Sequence, residues 1–227
     1  MNVSLRSHLR FFPFLFGLAA LLVLSGCANQ AGFSDPLHKG PFYAPKNFSA
    51  AQNLPATLRR VVLLPAYAGE VASPETAAAL DHALFGALQK QARFEVVPLS
   101  REDSLRWFGA AEFSSVSALP HDYIAQIAAK FAADAVVFVD LTAFKPYRPL
   151  AVGFHAKLAT VSDIRLIWTF DETISAEDPA VANRARHNYL HTDRGDQPID
   201  LSHSVLQSPG RFAEFAAEAM FETLPAR

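Results

Sequence analysis

Ile127-Ala128-Ala129-Lys130-Phe131-Ala132-Ala133-Asp134-Ala135-Val136-Val137-Phe138-Val139-Asp140-Leu141 is the stretch on which the fold turns. Its first part continues an apolar face, Tyr123, Ile124, Ile127, Ala128 and Phe131, whose spacing predicts a helix. From Asp134 to Leu141 the chain reads as a third, largely buried strand, with Ala135 to Val139 continuously apolar. Upstream, Val61-Val62-Leu63-Leu64-Pro65 and Phe94-Glu95-Val96-Val97-Pro98 read as two further strands. Between them, Ser73 is a good N-cap with Pro74 at the first helical position. Ala77, Leu80, Leu84, Ala87, Leu88 and Gln91 then share one helical face. Ser100-Arg101-Glu102-Asp103 approximates a capping box for a short helix through Trp107, and a Ser-rich loop leads on to Pro120.

Downstream the period changes to two. Val152, Phe154, Ala156, Leu158 and Thr160 alternate across residues 151–162, and Leu166, Trp168, Phe170 and Glu172 across 165–174, predicting a hairpin turning at Ser162-Asp163. Thr142 to Pro149 is read as a short link into it. Asp178-Pro179 opens a helix toward Tyr189, a polar loop spans about 192–204, and Ser208-Pro209 opens a last helix with Phe212, Phe215, Ala216 and Ala219 on one face. The expectation is an α/β fold: a mixed sheet of about five strands, βαβαβ followed by a β-hairpin, covered by helices and ending in C-terminal helices.

The N-terminus sets a compartment. Arg6 and Arg10 precede an apolar run from Phe11 to Leu24 broken only by Pro13 and Gly17. That is signal-peptide anatomy, and the run is shorter than a spanning helix requires. It ends in Leu24-Ser25-Gly26-Cys27, which resembles the lipobox of bacterial lipoproteins. The resemblance implies cleavage before Cys27 and acylation of that cysteine. It also implies, through Ala28, an address on the periplasmic face of the outer membrane. Cys27 is the single cysteine of the chain, so the fold rests on its core and not on a disulfide. Residues 1–26 are thus expected as signal peptide, 27–57 as a flexible tether rich in Pro and Gly, and 58–227 as one α/β domain with a C-terminal helical extension. Phe33, Phe42, Tyr43 and Phe48 are aromatic enough for part of the tether to pack along the domain.

A formal net charge of −2 over 227 residues gives no general attraction to nucleic acid. No repeat of solenoid length is present.

The order strand, helix, strand, helix, Ala-Asp-Ala-Val-Val strand and hairpin, over residues 59–177, is similar to the small domain of TolB-N-like and CsgG/LpoB-like envelope lipoproteins. The step Ile127 to Val137 is its most telling piece. The resemblance implies a non-catalytic part without cofactor. Such a part binds another envelope protein or copies of itself. The short, doubly proline-marked link before Val152 argues against a membrane barrel from this chain.

Several groups are candidate sites. His187 and His191 stand four apart on one helix face with Asp193 nearby, a spacing that could share a metal ion. The same end, with Arg184, Arg186 and Arg194, also reads as a solvated basic helix terminus able to face an acidic partner. Asp134 and Asp140 flank the third strand as paired carboxylates, or as turn and strand-end residues. The turn Ala66 to Glu70 lacks a phosphate-binding glycine pattern, and there is no Gly-x-Ser-x-Gly elbow. Of the aromatics Trp107, Phe108, Phe113, Tyr147 and Trp168, Tyr147 sits between two prolines in a loop and is the one expected to make a contact. Tyr147, Arg184 and Arg186 are therefore the partner-binding candidates. The expected function is a tethered binding or assembly accessory. A metal- or ligand-binding lipoprotein centred on His187 and His191 is the alternative, and an envelope hydrolase the third reading.

Overall fold

The computed structural model describes residues 40–191 and 199–227. In chain order these form β1 (Phe48–Ala50), β2 (Arg60–Leu63), α1 (Pro74–Lys90), β3 (Glu95–Pro98), α2 (Arg101–Phe108), α3 (Tyr123–Phe131), β4 (Ala135–Lys145), β5 (Ala151–Thr160), β6 (Leu166–Ser175), α4 (Pro179–Leu190), a 3-10 helix (Ile199–Leu206) and α5 (Pro209–Phe221). The caps are those the sequence announces. Ser73, Ser100 and Asp178 accept backbone N–H bonds from Thr76, Asp103 and Ala180, which satisfies donors that the first helical turn leaves unpaired.

The six strands make one mixed sheet in the order β1-β6-β5-β4-β2-β3. β2 pairs in parallel with β3 on one side and β4 on the other, while β4-β5, β5-β6 and β6-β1 are antiparallel. Because β3 and β4 flank β2 on opposite sides, the two crossovers cover opposite faces. Val61, Leu63, Ala135, Val137 and Val139 join Leu80 and Leu84 of α1 and Phe212 and Phe215 of α5 in the larger core. Val62, Leu64, Val136 and Phe138 point the other way, into a smaller core with Tyr123 and Ile127 of α3. The alternation of period two therefore sorts the residues of one apolar run into two cores. Asp134 pins the junction. Its Oδ2 accepts the backbone N–H groups of Arg59 and Arg60 at 2.8 and 2.9 Å, and its own N–H donates to the Arg60 carbonyl at 2.8 Å.

Three expectations are revised. β4 runs on to Lys145, paired with Ala151 of β5 through a bulge between Leu141 and Ala143, so the first half of the supposed link is strand. The polar loop expected over 192–204 becomes the 3-10 helix from Ile199, with residues 192–198 outside the described ones. The sixth strand, β1, lies within the stretch read as tether. Three exposed residues carry no period to announce a strand, and β1 exists because the β6 edge offers a ladder, with Phe48, Ser49 and Ala50 opposite Phe170, Thr169 and Trp168. Around it, Tyr43 is buried and donates its N–H to the Ala180 carbonyl at 3.1 Å, and Leu54 donates to Ala226 at 2.7 Å. Residues 40–57 thus lie along the body of the domain. Residues 1–39, including the expected signal peptide and Cys27, fall outside the described residues.

Leu84 is fully buried where α1 meets the sheet, whereas Val116 is 72% exposed. In urea unfolding, Leu84→Ala should cost about 2–5 kcal/mol through lost transfer energy and a cavity, and Val116→Ala no more than about 0.5 kcal/mol.

Candidate interaction surface at the β4–β5 turn

The candidate carboxylates are engaged in holding loops. Asp140 lies in the middle of β4 and is buried, contrary to the reading of it as an exposed strand end. It accepts from Ser114 Oγ at 2.7 Å, Ser115 N at 2.9 Å and Ser115 Oγ at 3.1 Å, while Lys157 Nζ donates to the Ser115 carbonyl at 2.9 Å. Its lone pairs are taken up in fastening the Ser-rich loop to the sheet. Asp134, at the start of the same strand, is occupied by backbone donors as described above.

The crevice beyond the carboxyl end of β2, where the neighbouring strands diverge and open α/β sheets bind ligands, is filled by Arg101. Its Nε and Nη2 meet Asp81 at 2.6 and 3.2 Å, Nη1 pairs with Glu112, and Nη2 also donates to the Ala66 carbonyl at 2.6 Å. The acids complete the clamp: Asp81 accepts from Ala66 N at 2.8 Å, and Glu112 from Ala68 N and Gly69 N at 3.1 Å each. Burial pushes the Asp81 carboxyl above its ordinary range, opposed by the hydrogen bonds and charge of Arg101. Arg101→Met leaves two half-buried carboxylates without their counter-charge and should destabilise by about 1–3 kcal/mol near neutral pH. Protonating Asp81, whose carboxyl burial holds above its ordinary range, removes its need for the cation. The deficit measured by urea titration should therefore shrink as pH falls toward 4.

His187 and His191 do meet. Their ring centroids lie 4.6 Å apart at the end of α4, and Phe42 rests against His187 with centroids 4.9 Å apart. Asp193, the third member of the expected set, lies outside the described residues, among which no group of three or more metal-ligating side chains converges. Arg184 donates to the Tyr43 carbonyl at 2.6 Å and pairs with Glu222, fastening the N-terminal segment to the end of α5. Arg186 is buried, not solvated, and its Nε donates to Ser202 Oγ at 3.2 Å.

Burial, and then the charge of His191, hold the His187 imidazole below its ordinary pKa. A histidine depressed in the folded state favours the fold above the unfolded value near 6.5 and loses that contribution as pH drops below it. Stability should therefore fall from pH 7 to 5, and His187→Gln should flatten the slope in thermal unfolding. His203, depressed by burial and by the charges of Arg186 and Arg148, acts in the same direction.

The most exposed aromatic side chain among the described residues stands on the turn between β4 and β5. Tyr147 is 80% exposed at its tip, with Lys145 and Arg148 exposed beside it. On one side, Leu80 and Ala83 of α1, Phe144, Pro146, and Pro209 and Ala213 of α5 line a groove of about 520 Å³, at which the exposed side chains of Glu75 and Glu214 also stand. On the other, Arg148, Pro149 and Leu150 border a depression of about 350 Å³ shared with His203, Leu206 and Gln207. The groove escaped sequence reading because its walls come from three distant segments. Its one local signal is the pair of small residues Ala79 and Ala83, four apart on α1. The other weighed aromatics are packed: Trp107, Phe108 and Phe113 against the smaller core, and Trp168 in the larger one with Nε1 donating to Thr223 Oγ1 at 2.9 Å. No helix among the described residues is long and apolar enough to cross a membrane.

No family model matches the chain, and no curated protein matches it. Among solved structures, it is similar to the PelC dodecamer from Paraburkholderia phytofirmans, at 14% identity over 79% of this chain and 96% of that one, with a TM-score of 0.46. Lipoprotein GNA1162 from Neisseria meningitidis shares 16% identity over 52% of this chain and 82% of that one, with a TM-score of 0.41. The LpoB C-terminal domain from Salmonella enterica shares 14% over 56% and 84%, with a TM-score of 0.34. These neighbours thus include bacterial lipoproteins.

Proposed function

We propose that the chain is a lipoprotein of the bacterial envelope, cut before Cys27, acylated there, and held at the periplasmic face of the outer membrane as a non-catalytic binding or assembly accessory. The observation that carries this reading is Leu24-Ser25-Gly26-Cys27 at the end of the apolar run, with the only cysteine of the chain at the acylated position. Acyl chains contribute about 0.8 kcal/mol per buried CH₂, so two or more make an anchor that rarely leaves the bilayer. Support for an accessory role comes from the body of the domain. Asp134, Asp140, Asp81 and Glu112 are engaged in fastening loops, while Tyr147 and its flanking cations stand free at the β4–β5 turn.

A second reading rests on the 4.6 Å approach of the His187 and His191 rings, which could share a metal ion with Asp193. Stoichiometric zinc, lost on joint replacement of both histidines by glutamine, would support it.

The anchor is tested in cells by palmitate labelling and intact-mass measurement. The wild type should carry three acyl chains on Cys27 and fractionate with the outer membrane, and Cys27→Ala should lose label, lipid mass and membrane attachment. An unmodified, soluble wild type would overturn the proposal.

A further inference from the structure

We infer that the groove between α1 and α5 receives the Lys145–Pro149 turn of a second copy of this chain, the two turns being exchanged across a two-fold axis. The groove has the shape for an aromatic anchor: small side chains, Ala83 and Ala213, floor it beside Leu80, and its volume of about 520 Å³ falls in the range that holds compact ligands. The turn has the shape of an anchor. Tyr147 is 80% exposed, and Pro146 and Pro149 on either side fix two backbone dihedrals in advance, so little freedom is lost on docking.

Charge selects this occupant. Tyr147 is bracketed by Lys145 and Arg148, while Glu75 and Glu214 stand at the groove, each carboxylate on the first turn or two of its helix. A cation-aromatic-cation turn and an apolar slot with two acids are complementary, and both are written in the same chain. Placement selects the symmetry. Pro146 belongs to the turn and also lines the groove, so anchor and receptor are neighbours at one end of the molecule. Adjacent complementary patches are what a closed, isologous pair requires: residue i meets residue j, and j meets i.

One aromatic anchor and two charge pairs on each side make a weak contact in free solution. Chains tethered to the same membrane surface meet at a far higher effective concentration, and to that extent the inference rests on the proposed anchoring.

The test uses the full chain, purified in mild detergent after intact-mass measurement of its lipid. A photo-crosslinking phenylalanine analogue at position 147 should give a dimer band whose cross-linked peptides derive from residues 74–90 or 209–221. By sedimentation, Lys145→Glu with Arg148→Glu should weaken self-association at least tenfold, as should Glu75→Lys with Glu214→Lys. Mixing the two reversed chains should restore both turn-groove contacts, one of them with its polarity reversed, and recover association. All four positions are exposed, so the fold tolerates their exchange. A monomeric wild type at high micromolar concentration, a crosslink from position 147 only to another protein, or association indifferent to both reversals would overturn the inference. A lipidated chain that stays monomeric sinks this inference and leaves the anchoring intact. An unlipidated chain that still pairs through the turn does the reverse.

Discussion

The structure depends on β2 and β4 being buried on both faces. Val61 and Val62, like Val136 and Val137, are wholly inaccessible, and successive residues of each strand enter different cores. A strand of that kind cannot lie at a surface, so helices must cover both sides of this part of the sheet. With β3 and β4 on opposite sides of β2, the connections supply that cover: α1 on one face, α2 and α3 on the other. Burial of both faces also demands that the backbone at the strand ends find partners, which is the role of Asp134 at the entry and of the Arg101 clamp at the exit.

β5 and β6 answer to a different constraint. They send Val152, Phe154, Ala156, Leu158, Trp168 and Phe170 to the larger core, while His155, Lys157, Asp171 and Thr173 stand on the other face, partly or fully exposed. The antiparallel half is therefore covered on one side, and its β6 edge is closed by β1. That edge pairing draws residues 40–57 onto the domain. A segment whose composition suits a tether is held by hydrogen bonds from Tyr43, Asn47 and Leu54.

The division of polar groups bears on function. Ionic and hydrogen-bonded side chains near the carboxyl ends of the parallel strands are satisfied by one another, at positions where many α/β proteins hold ligands. An exposed aromatic tip, its two cations, and an apolar groove with two acids stand instead at the far end of the β4–β5 hairpin. A surface of that composition suits recognition of a partner.

Much of the fold was legible in the sequence, because its signals are local. A capping serine or aspartate followed by proline marked the starts of α1, α4 and α5, and the apolar runs marked β2 and β4. The alternation through residues 151–174 marked the β5–β6 hairpin. Leu24-Ser25-Gly26-Cys27, the stretch that resembles a lipobox, is likewise a local pattern. Tertiary structure decided what local patterns cannot hold. β1 has no period of its own and forms only because β6 presents an open edge; the extension of β4 depends on a bulge set by its partner strand. Asp140 looks like a strand end in one dimension and is a buried acceptor in three, since the serines that satisfy it lie about 25 residues away. The groove exists only where α1, α5 and the end of β4 converge, so residues 75, 144 and 214 acquire a common role through packing alone. Sequence carries periodicity and punctuation; which distant segments become neighbours is settled by the burial of the two cores.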